Sequence, residues 1–438
     1  MHIHFIGIGG IGLSALAKFL AGFGHKISGS DIAQTEITKD LEQNYNASIT
    51  IPHHPDAVNG ADLVIYSAVI KPDNVEYQKA KELGIKIIPR KEALKFILKD
   101  FEVFAVAGAH GKSTTSAILA SIMPDSNALI GAISKEFNSN VRTSKSKKVV
   151  FEADESDASF LNSNPHLAVV TNVEPEHMEY YEYDYDRFYQ AYRDFLELAD
   201  IRVLNGEDEF LSNQNDLENI YLEPSKDIKD VEYILIDKLP YTKFNLRDFG
   251  EFRVYGFGYH LAVDAALAIL AALNSGEDIE AIRKNLLSYK GIKKRFDIIQ
   301  NDNLIVIDDY GHHPTEIKAT LKGVFDYAKA LGIDRVYAIW QPHKYSRTAD
   351  NLEGFVKAFE GVDELTILPI WAAGEEKREI NLEEAFKEYN PIMANRVTKK
   401  DNKIYILDKE GNSIKTYDNG VVVAFGAGDI TYQIRGIK

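Results

Sequence analysis

The residues best equipped for chemistry lie in the run Ala107-Gly108-Ala109-His110-Gly111-Lys112-Ser113-Thr114-Thr115. Residues 101–107 ahead of it alternate like a strand, and Ser116-Ala117-Ile118-Leu119-Ala120 behind it reads as the first turns of a helix. A glycine turn between strand and helix aims backbone N–H groups and the positive end of the helix dipole at one spot, where a phosphate is stabilised. Lys112 adds a mobile positive charge for a β- or γ-phosphate, and the Ser113 hydroxyl is a ligand for Mg²⁺. The strict G-x-x-x-x-G-K-[ST] pattern asks for glycine at 106, where Val106 stands, so this is a shortened P-loop. An ordinary loop with a surface lysine is the bland alternative, but strand, turn, Gly-Lys-Ser and helix follow in the order a nucleotide site needs. ATP is the expected ligand of Gly108, Ala109, His110, Gly111, Lys112, Ser113 and Thr114.

A second constellation stands at the start of the chain. Gly7-Ile8-Gly9-Gly10-Ile11-Gly12 satisfies G-x-G-x-x-G after the apolar run Ile3-His4-Phe5-Ile6, and Asp31 ends the next strand-like run. In such a βαβ unit Gly9, Gly10 and Gly12 seat a diphosphate on a helix N-terminus, and Asp31 takes a ribose hydroxyl. NAD, FAD and UDP-sugars share that diphosphate, and the pattern does not choose among them. Ser67 closes another strand, Ala61-Asp62-Leu63-Val64-Ile65-Tyr66, at the edge where open α/β sheets bind ligands, with a turn or helix cap as its alternative.

Two further strands end in acids. Val149-Val150-Phe151 runs into Glu152-Ala153-Asp154-Glu155-Ser156-Asp157, and residues 167–172 run into Val173-Glu174-Pro175-Glu176-His177. Parallel strand ends converge on the nucleotide side, so Glu152 and His177 join Ser113 as candidate Mg²⁺ ligands. In the last third four strands end in polar or glycine clusters: Asp308-Asp309-Tyr310-Gly311-His312-His313-Pro314-Thr315-Glu316, Gln341-Pro342-His343-Lys344-Tyr345-Ser346-Arg347-Thr348, Ala372-Ala373-Gly374-Glu375 and Gly426-Ala427-Gly428-Asp429. One histidine is easily structural. Three with Lys344 and Arg347 on neighbouring strand ends form a candidate site.

These residues need elements to position them, and the alternation of strand and helix runs along the chain predicts α/β architecture. The 438 residues exceed one core and predict two or three domains. A net charge of −16 argues against a nucleic-acid partner, while leaving room for anionic small substrates in a local basic pocket. Cysteine is absent, which excludes disulfides, thiolate nucleophiles and Cys-ligated zinc. No run approaches the length of a membrane span, and the N-terminus lacks a basic leader, so a cytoplasmic protein without membrane insertion is expected.

The strings Gly-Ala-His-Gly-Lys-Ser-Thr, Glu-Ala-Asp-Glu-Ser-Asp, Asp-Asp-Tyr-Gly-His-His-Pro-Thr-Glu and Gln-Pro-His-Lys-Tyr-Ser-Arg-Thr resemble those of the Mur ligases, and the resemblance spans Gly7 to Asp429. It implies three domains: a Rossmann-like UDP-sugar domain over 1–98, a central P-loop ATPase domain with a parallel sheet over 99–296, and a Rossmann-like amino-acid domain over 297–438. It implies ATP-dependent joining of L-alanine to the lactyl carboxylate of UDP-N-acetylmuramate through an acyl phosphate, in the cytoplasmic phase of peptidoglycan synthesis. Lys112, with Mg²⁺ on Ser113, Glu152 and His177, would neutralise the transferring phosphoryl group. Asp309 joins the ATP set, and Tyr310, His312, His343, Lys344 and Arg347 would line the junction of acyl phosphate and amino acid. A monomer or homodimer is expected. Two departures are visible: Ser113 stands where threonine is usual, and Leu261 and Asp264 stand where the family has asparagines near the adenine.

Overall fold

The structure, a computed structural model, describes residues Met1–Ile437. These form two compact units between which the chain passes repeatedly. The first holds Met1–Asp230, Phe244–Phe252 and Ala262–Lys290; the second holds Val231–Lys243, Arg253–Leu261 and the chain from Gly291 onward.

Two sheets build the first unit. Strands β1 (His2–Ile6), β2 (Lys26–Ser30), β3 (Ser48–Thr50), β4 (Leu63–Tyr66) and β5 (Lys86–Pro89) form an all-parallel sheet of order β3-β2-β1-β4-β5. Helices α1 (Ile11–Gly22), α2 (Glu36–Tyr45), α3 (Val75–Glu82) and α4 (Arg90–Leu98) connect its strands and lead out of it. Strands β6 (Glu102–Ala107), β7 (Asn127–Ser134), β8 (Ser139–Arg142), β9 (Lys148–Glu152), β10 (Leu167–Val170), β11 (Ile201–Asn205) and β12 (Ile220–Leu222) form the second, of order β12-β11-β10-β6-β9-β7-β8. Only β8 runs antiparallel there, on the edge beyond β7. Parallel strands covered on both faces must be apolar along their whole length. Val103 to Ala107 of β6 are accordingly fully buried, and so are Leu167 to Val170 of β10. Helices α5 (Lys112–Ile122) and α6 (Tyr185–Leu198) pack on this sheet, and α1 also packs on β7 and β8. One continuous apolar core therefore joins Phe5 of the first sheet and Leu16 and Phe19 of α1 to Val103, Leu129 and Val149 of the second sheet.

A polar network lies beneath the first sheet. His4 and Glu76 are fully buried, with Nε2 and Oε2 3.0 Å apart. His4 Nδ1 meets Ser28 Oγ at 2.8 Å, the Ser30 hydroxyl donates to Glu76 Oε2 at 2.5 Å, and the His54 N–H donates to Oε1 at 2.8 Å. Burial raises the Glu76 pKa, but the hydrogen bonds from His4 and Ser30 outweigh it and hold the carboxyl below its usual value.

After α7 (Pro224–Asp227), strands β13 (Ile228–Ile236), β14 (Leu239–Leu246) and β15 (Glu251–Tyr255) form a three-stranded sheet, followed by α8 (Tyr259–Asn274) and α9 (Ile279–Leu286). The second unit is built on β16 (Asp297–Asn301), β17 (Leu304–Asp309), β18 (Val336–Trp340), β19 (Glu364–Ile367) and β20 (Ile392–Met393), with a meander of β21 (Arg396–Lys400), β22 (Lys403–Leu407) and β23 (Ser413–Tyr417) before β24 (Gly420–Phe425). Its main sheet has the order β16-β17-β24-β18-β19-β20, parallel except at β16. The last strand thus lies in the middle, and the carboxyl ends of β17, β24, β18 and β19 share one edge. Helices α10 (Pro314–Leu331), α11 (Tyr345–Asp350), α12 (Leu352–Ala358), α13 (Leu382–Ala385) and α14 (Ile430–Gln433) complete it. Among the described residues no helix is long and apolar enough to cross a membrane.

Candidate active site

The phosphate-type turn leaves β6 at Ala107 and enters α5 at Lys112. Val106 falls inside the strand and is fully buried, which explains why the shortened motif tolerates it. Gly108 has φ +135°, and a Cβ there would stand 2.1 Å from Thr171 Oγ1, so no other residue fits. Neighbours hold the turn in shape. The His110 N–H donates to Asn172 Oδ1 at 2.9 Å, Asn172 Nδ2 donates back to the His110 carbonyl at 2.9 Å, and the Thr171 hydroxyl reaches that carbonyl at 2.5 Å. Gly111 at φ +83° carries the chain into α5, with the Asp264 carboxylate packed so closely that a Cβ would lie 2.6 Å from Oδ1.

Lys112 Nζ donates to the Gly108 and Ala109 carbonyls at 2.5 and 3.2 Å and pairs with Glu155 Oε1 at 2.9 Å. The Ser113 hydroxyl donates to Glu152 Oε1 at 2.8 Å, while the Gly131 N–H holds Oε2 at 2.6 Å. Two of the three expected metal ligands are therefore adjacent. His177, in a left-handed conformation at φ 53°, falls in a different group: its ring nitrogen and the carboxylate oxygens of Glu155 and Glu176 lie within 4.8 Å of one another, and Glu152 is not part of that set. Glu155 Oε2 is buried without a hydrogen-bond partner, and burial raises the Glu155 pKa against the opposing pull of Lys112. A cation would satisfy that oxygen, and the carboxylate oxygens here suit a hard divalent ion.

The glycine turn of the first sheet is equally well formed. The Gly9 N–H donates to Asp31 Oδ2 at 2.7 Å, and Asp31 Oδ1 accepts from its neighbour Ile32 at 2.8 Å. Ser67, just after β4, lies against Gly7, where a Cβ would be 3.1 Å from its own. Gly10 is the N-cap of α1, and Gly12 sits in its first turn beneath the guanidinium of Arg90. Sequence reading passed over Arg90, Glu155, Glu176, Thr171 and Asn172. The signal for Arg90 was its position at the end of β5, on the same sheet edge as Asp31 and Ser67.

In the second unit the expected residues of the last third do meet. His313 caps α10 and Pro314 fills its first position; Glu316 Oε2 accepts the N–H groups of His312 and His313 at 3.0 and 3.1 Å. The rings of Tyr310 and His312 lie 5.3 Å apart, and those of His312 and His343 6.2 Å. Arg347 donates to His343 Nδ1 at 3.1 Å, which requires an unprotonated nitrogen there. Burial, with Arg347 and His312 beside it, pushes the His343 pKa down to about 4, and burial also lowers that of His312. Lys344 is held at φ 68°, its N–H bonded to the Trp371 carbonyl. Glu375 accepts from the Ser346 N–H and hydroxyl, which anchors α11. Asp309 faces inward: Phe296 N–H and Thr320 Oγ1 donate to its Oδ2, and Gly311 N–H donates to its Oδ1. Burial raises its pKa to about 6 against the backbone donors of Phe296 and Gly311. Its carboxylate holds the loop that carries Tyr310 and His312.

Comparison with known proteins follows the same division. The signature of the Mur ligase family, catalytic domain, matches residues 2–102; that of the Mur ligase middle domain matches 106–223; and that of the Mur ligase, glutamate ligase domain, matches 294–428. The UDP-N-acetylmuramate–L-alanine ligase of Campylobacter curvus strain 525.92 is 56% identical over 435 residues, 99% of each chain. That of Helicobacter pylori strain J99 is 55% identical over 436 residues, 99% of this chain and 96% of its own. Among solved structures, the UDP-N-acetylmuramate-alanine ligase of Thermotoga maritima superposes with a TM-score of 0.81 at 27% identity, covering 99% of this chain and 97% of that one.

Proposed function

The chain belongs to the Mur ligase family, and from that premise we infer that it is an ATP-dependent ligase joining L-alanine to the lactyl carboxylate of UDP-N-acetylmuramate. The observation that carries the chemistry is the turn at the N-terminus of α5, where Lys112 and the Ser113–Glu152 pair stand together.

A carboxylate is a poor electrophile towards an amine. A lactyl oxygen attacks the γ-phosphorus of ATP, the bond to the ADP oxygen breaks, and an acyl phosphate forms. Negative charge spreads over the transferring phosphoryl group. We assign its neutralisation to Lys112 and the first backbone N–H groups of α5. Ser113 and Glu152, with His177, are the residues we assign to a divalent cation, and Glu155 and Glu176 are the carboxylates grouped with His177. When bound, such an ion polarises phosphoryl oxygens as a Lewis acid. The alanine amine then attacks the acyl carbon, and the tetrahedral intermediate expels phosphate. We assign the amino-acid end to Tyr310, His312, His343, Lys344 and Arg347. The alanine nitrogen attacks as the free amine, neutral His343 stays at the amino-acid end as the acceptor that orients Arg347, and Arg347 and Lys344 suit an amino-acid carboxylate. Asp309 acts by fixing the loop on which Tyr310 and His312 stand.

We assign residues 1–98 to UDP-sugar binding through Gly9, Gly10, Gly12, Asp31 and Ser67, 99–296 to ATP, and 297–438 to the amino acid. Gly108, Ala109, His110, Gly111 and Thr114 complete the ATP turn. The enzyme would work in the cytoplasm as a monomer or homodimer. The test is phosphate release from ATP and Mg²⁺ with UDP-N-acetylmuramate and each amino acid in turn. Release that requires both the sugar nucleotide and L-alanine supports the reading. Release without any acceptor, or none with any pair, overturns it.

A further inference from the structure

A cavity of about 240 Å³ opens in the first unit between its two glycine-rich turns, lined by Ile11, Gly12, Arg90, Lys112, Gly131 and Glu152 among others. The first turns of α1 and α5 both face this space, so two helix N-termini bias it towards an anion. Arg90 is the first residue of α4, directly after β5. Its guanidinium lies over the first turn of α1: a Cβ on Gly12 would stand 2.9 Å from Nε and 3.1 Å from Cζ. A side chain at position 12 would displace the guanidinium from this place.

The guanidinium has no adequate partner. Its Nε is buried with no hydrogen-bond acceptor, and its nearest carboxylate, Asp157, stands 3.8 Å from Nη1, beyond hydrogen-bonding distance. A buried donor left unsatisfied is costly, and a planar guanidinium matches the paired oxygens of a carboxylate or phosphate. Lys112 borders the same cavity but already makes three bonds of its own. The free donor in this space belongs to Arg90.

We propose that Arg90 is a substrate-binding residue that grips an oxyanion of the sugar nucleotide over the first turn of α1 and so aims the acceptor at the phosphate turn. The proposal rests on the ligase reading for the identity of the sugar nucleotide. Two groups of that molecule share the required chemistry, its diphosphate and its lactyl carboxylate, and the test separates them.

Calorimetric titration of the full-length wild type, Arg90→Gln and Arg90→Lys with UDP, with UDP-N-acetylmuramate and with ATP provides that test. Arg90→Gln should bind UDP-N-acetylmuramate roughly 10- to 100-fold more weakly, with partial recovery in Arg90→Lys and with ATP affinity unchanged. An equal loss for UDP assigns the diphosphate; UDP binding at wild-type strength assigns the carboxylate. Affinity for UDP-N-acetylmuramate within about twofold of wild type in Arg90→Gln overturns the proposal, as does a parallel loss of ATP binding, which would mark a structural role. A wild type that binds ATP but not UDP-N-acetylmuramate would sink the ligase reading itself, and the proposal with it.

Discussion

Lys112 Nζ and Glu155 Oε1 are 2.9 Å apart, and the Glu155 side chain is only 2% exposed. With the Gly108 and Ala109 carbonyls also bound, all three ammonium protons are engaged before any phosphate arrives. A nucleotide must draw Lys112 away from at least one partner. Glu155→Gln loosens the strongest of them, so ATP binding measured in EDTA should tighten by roughly tenfold. Unchanged or weaker binding in a folded variant would show that Lys112 does not exchange partners.

Breaking the pair from the other side has a different outcome. Lys112→Met leaves the Glu155 carboxylate buried without its counter-charge, a loss of about 3 kcal/mol or more in unfolding free energy. Adding Glu155→Gln should restore most of that stability while phosphate release stays about 10²-fold or more below wild type. Chemical denaturation beside a turnover assay separates the two effects.

Ser113 and Glu152 share a hydrogen bond of 2.8 Å at the N-terminus of α5. If both serve the cation, Ser113→Ala should raise the half-saturating Mg²⁺ concentration by roughly tenfold or more, and Ser113→Thr should leave it near wild type. A titration of phosphate release against Mg²⁺ decides. Equal Mg²⁺ dependence in all three proteins would remove Ser113 from the metal site.

Asp309 and His343 titrate in opposite senses. The Asp309 pKa rises from 3.8 to about 6, so between those values the folded protein keeps a proton that the unfolded chain has released, and this contribution to stability is lost as pH rises. The His343 pKa falls from 6.5 to about 4, so its contribution is complete above 6.5 and is lost as pH falls. His343 is therefore neutral above about pH 6.5, and an acid limb of kcat/KM for L-alanine is expected near pH 6 from Asp309. Asp309→Asn should flatten that limb in a profile taken from about pH 5 to 8. A limb unmoved in the variant would assign it elsewhere.

Glu76 should matter for stability alone. Its carboxyl is held below the ordinary 4.5, so it stabilises the fold fully above that pH and loses its contribution as pH falls through the lower folded value. Glu76→Gln should cost about 2–4 kcal/mol at neutral pH and flatten the acid end of the stability profile. Denaturant midpoints at several pH values measure both, with ATP affinity as the control that should not move.

Local chemistry was the legible part of this chain. The strand before Gly108, the helix after Lys112 and the Pro314 start of α10 follow from apolar runs and cap residues a few positions apart. Glu155 and Arg90 were missed because what defines them is distant in sequence: Glu155 meets Lys112 across 43 positions, and Arg90 meets Gly12 only once β5 has joined the first sheet. Glu155 also sits in an acidic run where any of four carboxylates reads the same; burial singles it out, and burial has no local signal. His177 shows the same limit, since its neighbours Glu155 and Glu176 are set by the fold and not by the spacing of its own strand end. The alternation of the chain between two units at 231–261 leaves no trace in composition.

The central place of β24 has a consequence for how the protein is made. Both sheets of the first unit are complete by Leu222, whereas β17 and β18 wait for Gly420–Phe425 to fill the gap between them. Until the ribosome has released that strand, two apolar strand edges stay open, and pairing of Leu304 with Gly420 and of Val336 with Val421, 116 and 85 positions apart, is slow. The nascent chain thus acquires its phosphate turn early and its Tyr310–His312–His343 cluster last. Conditions that hurry synthesis or crowd the nascent chain should cost the second unit first.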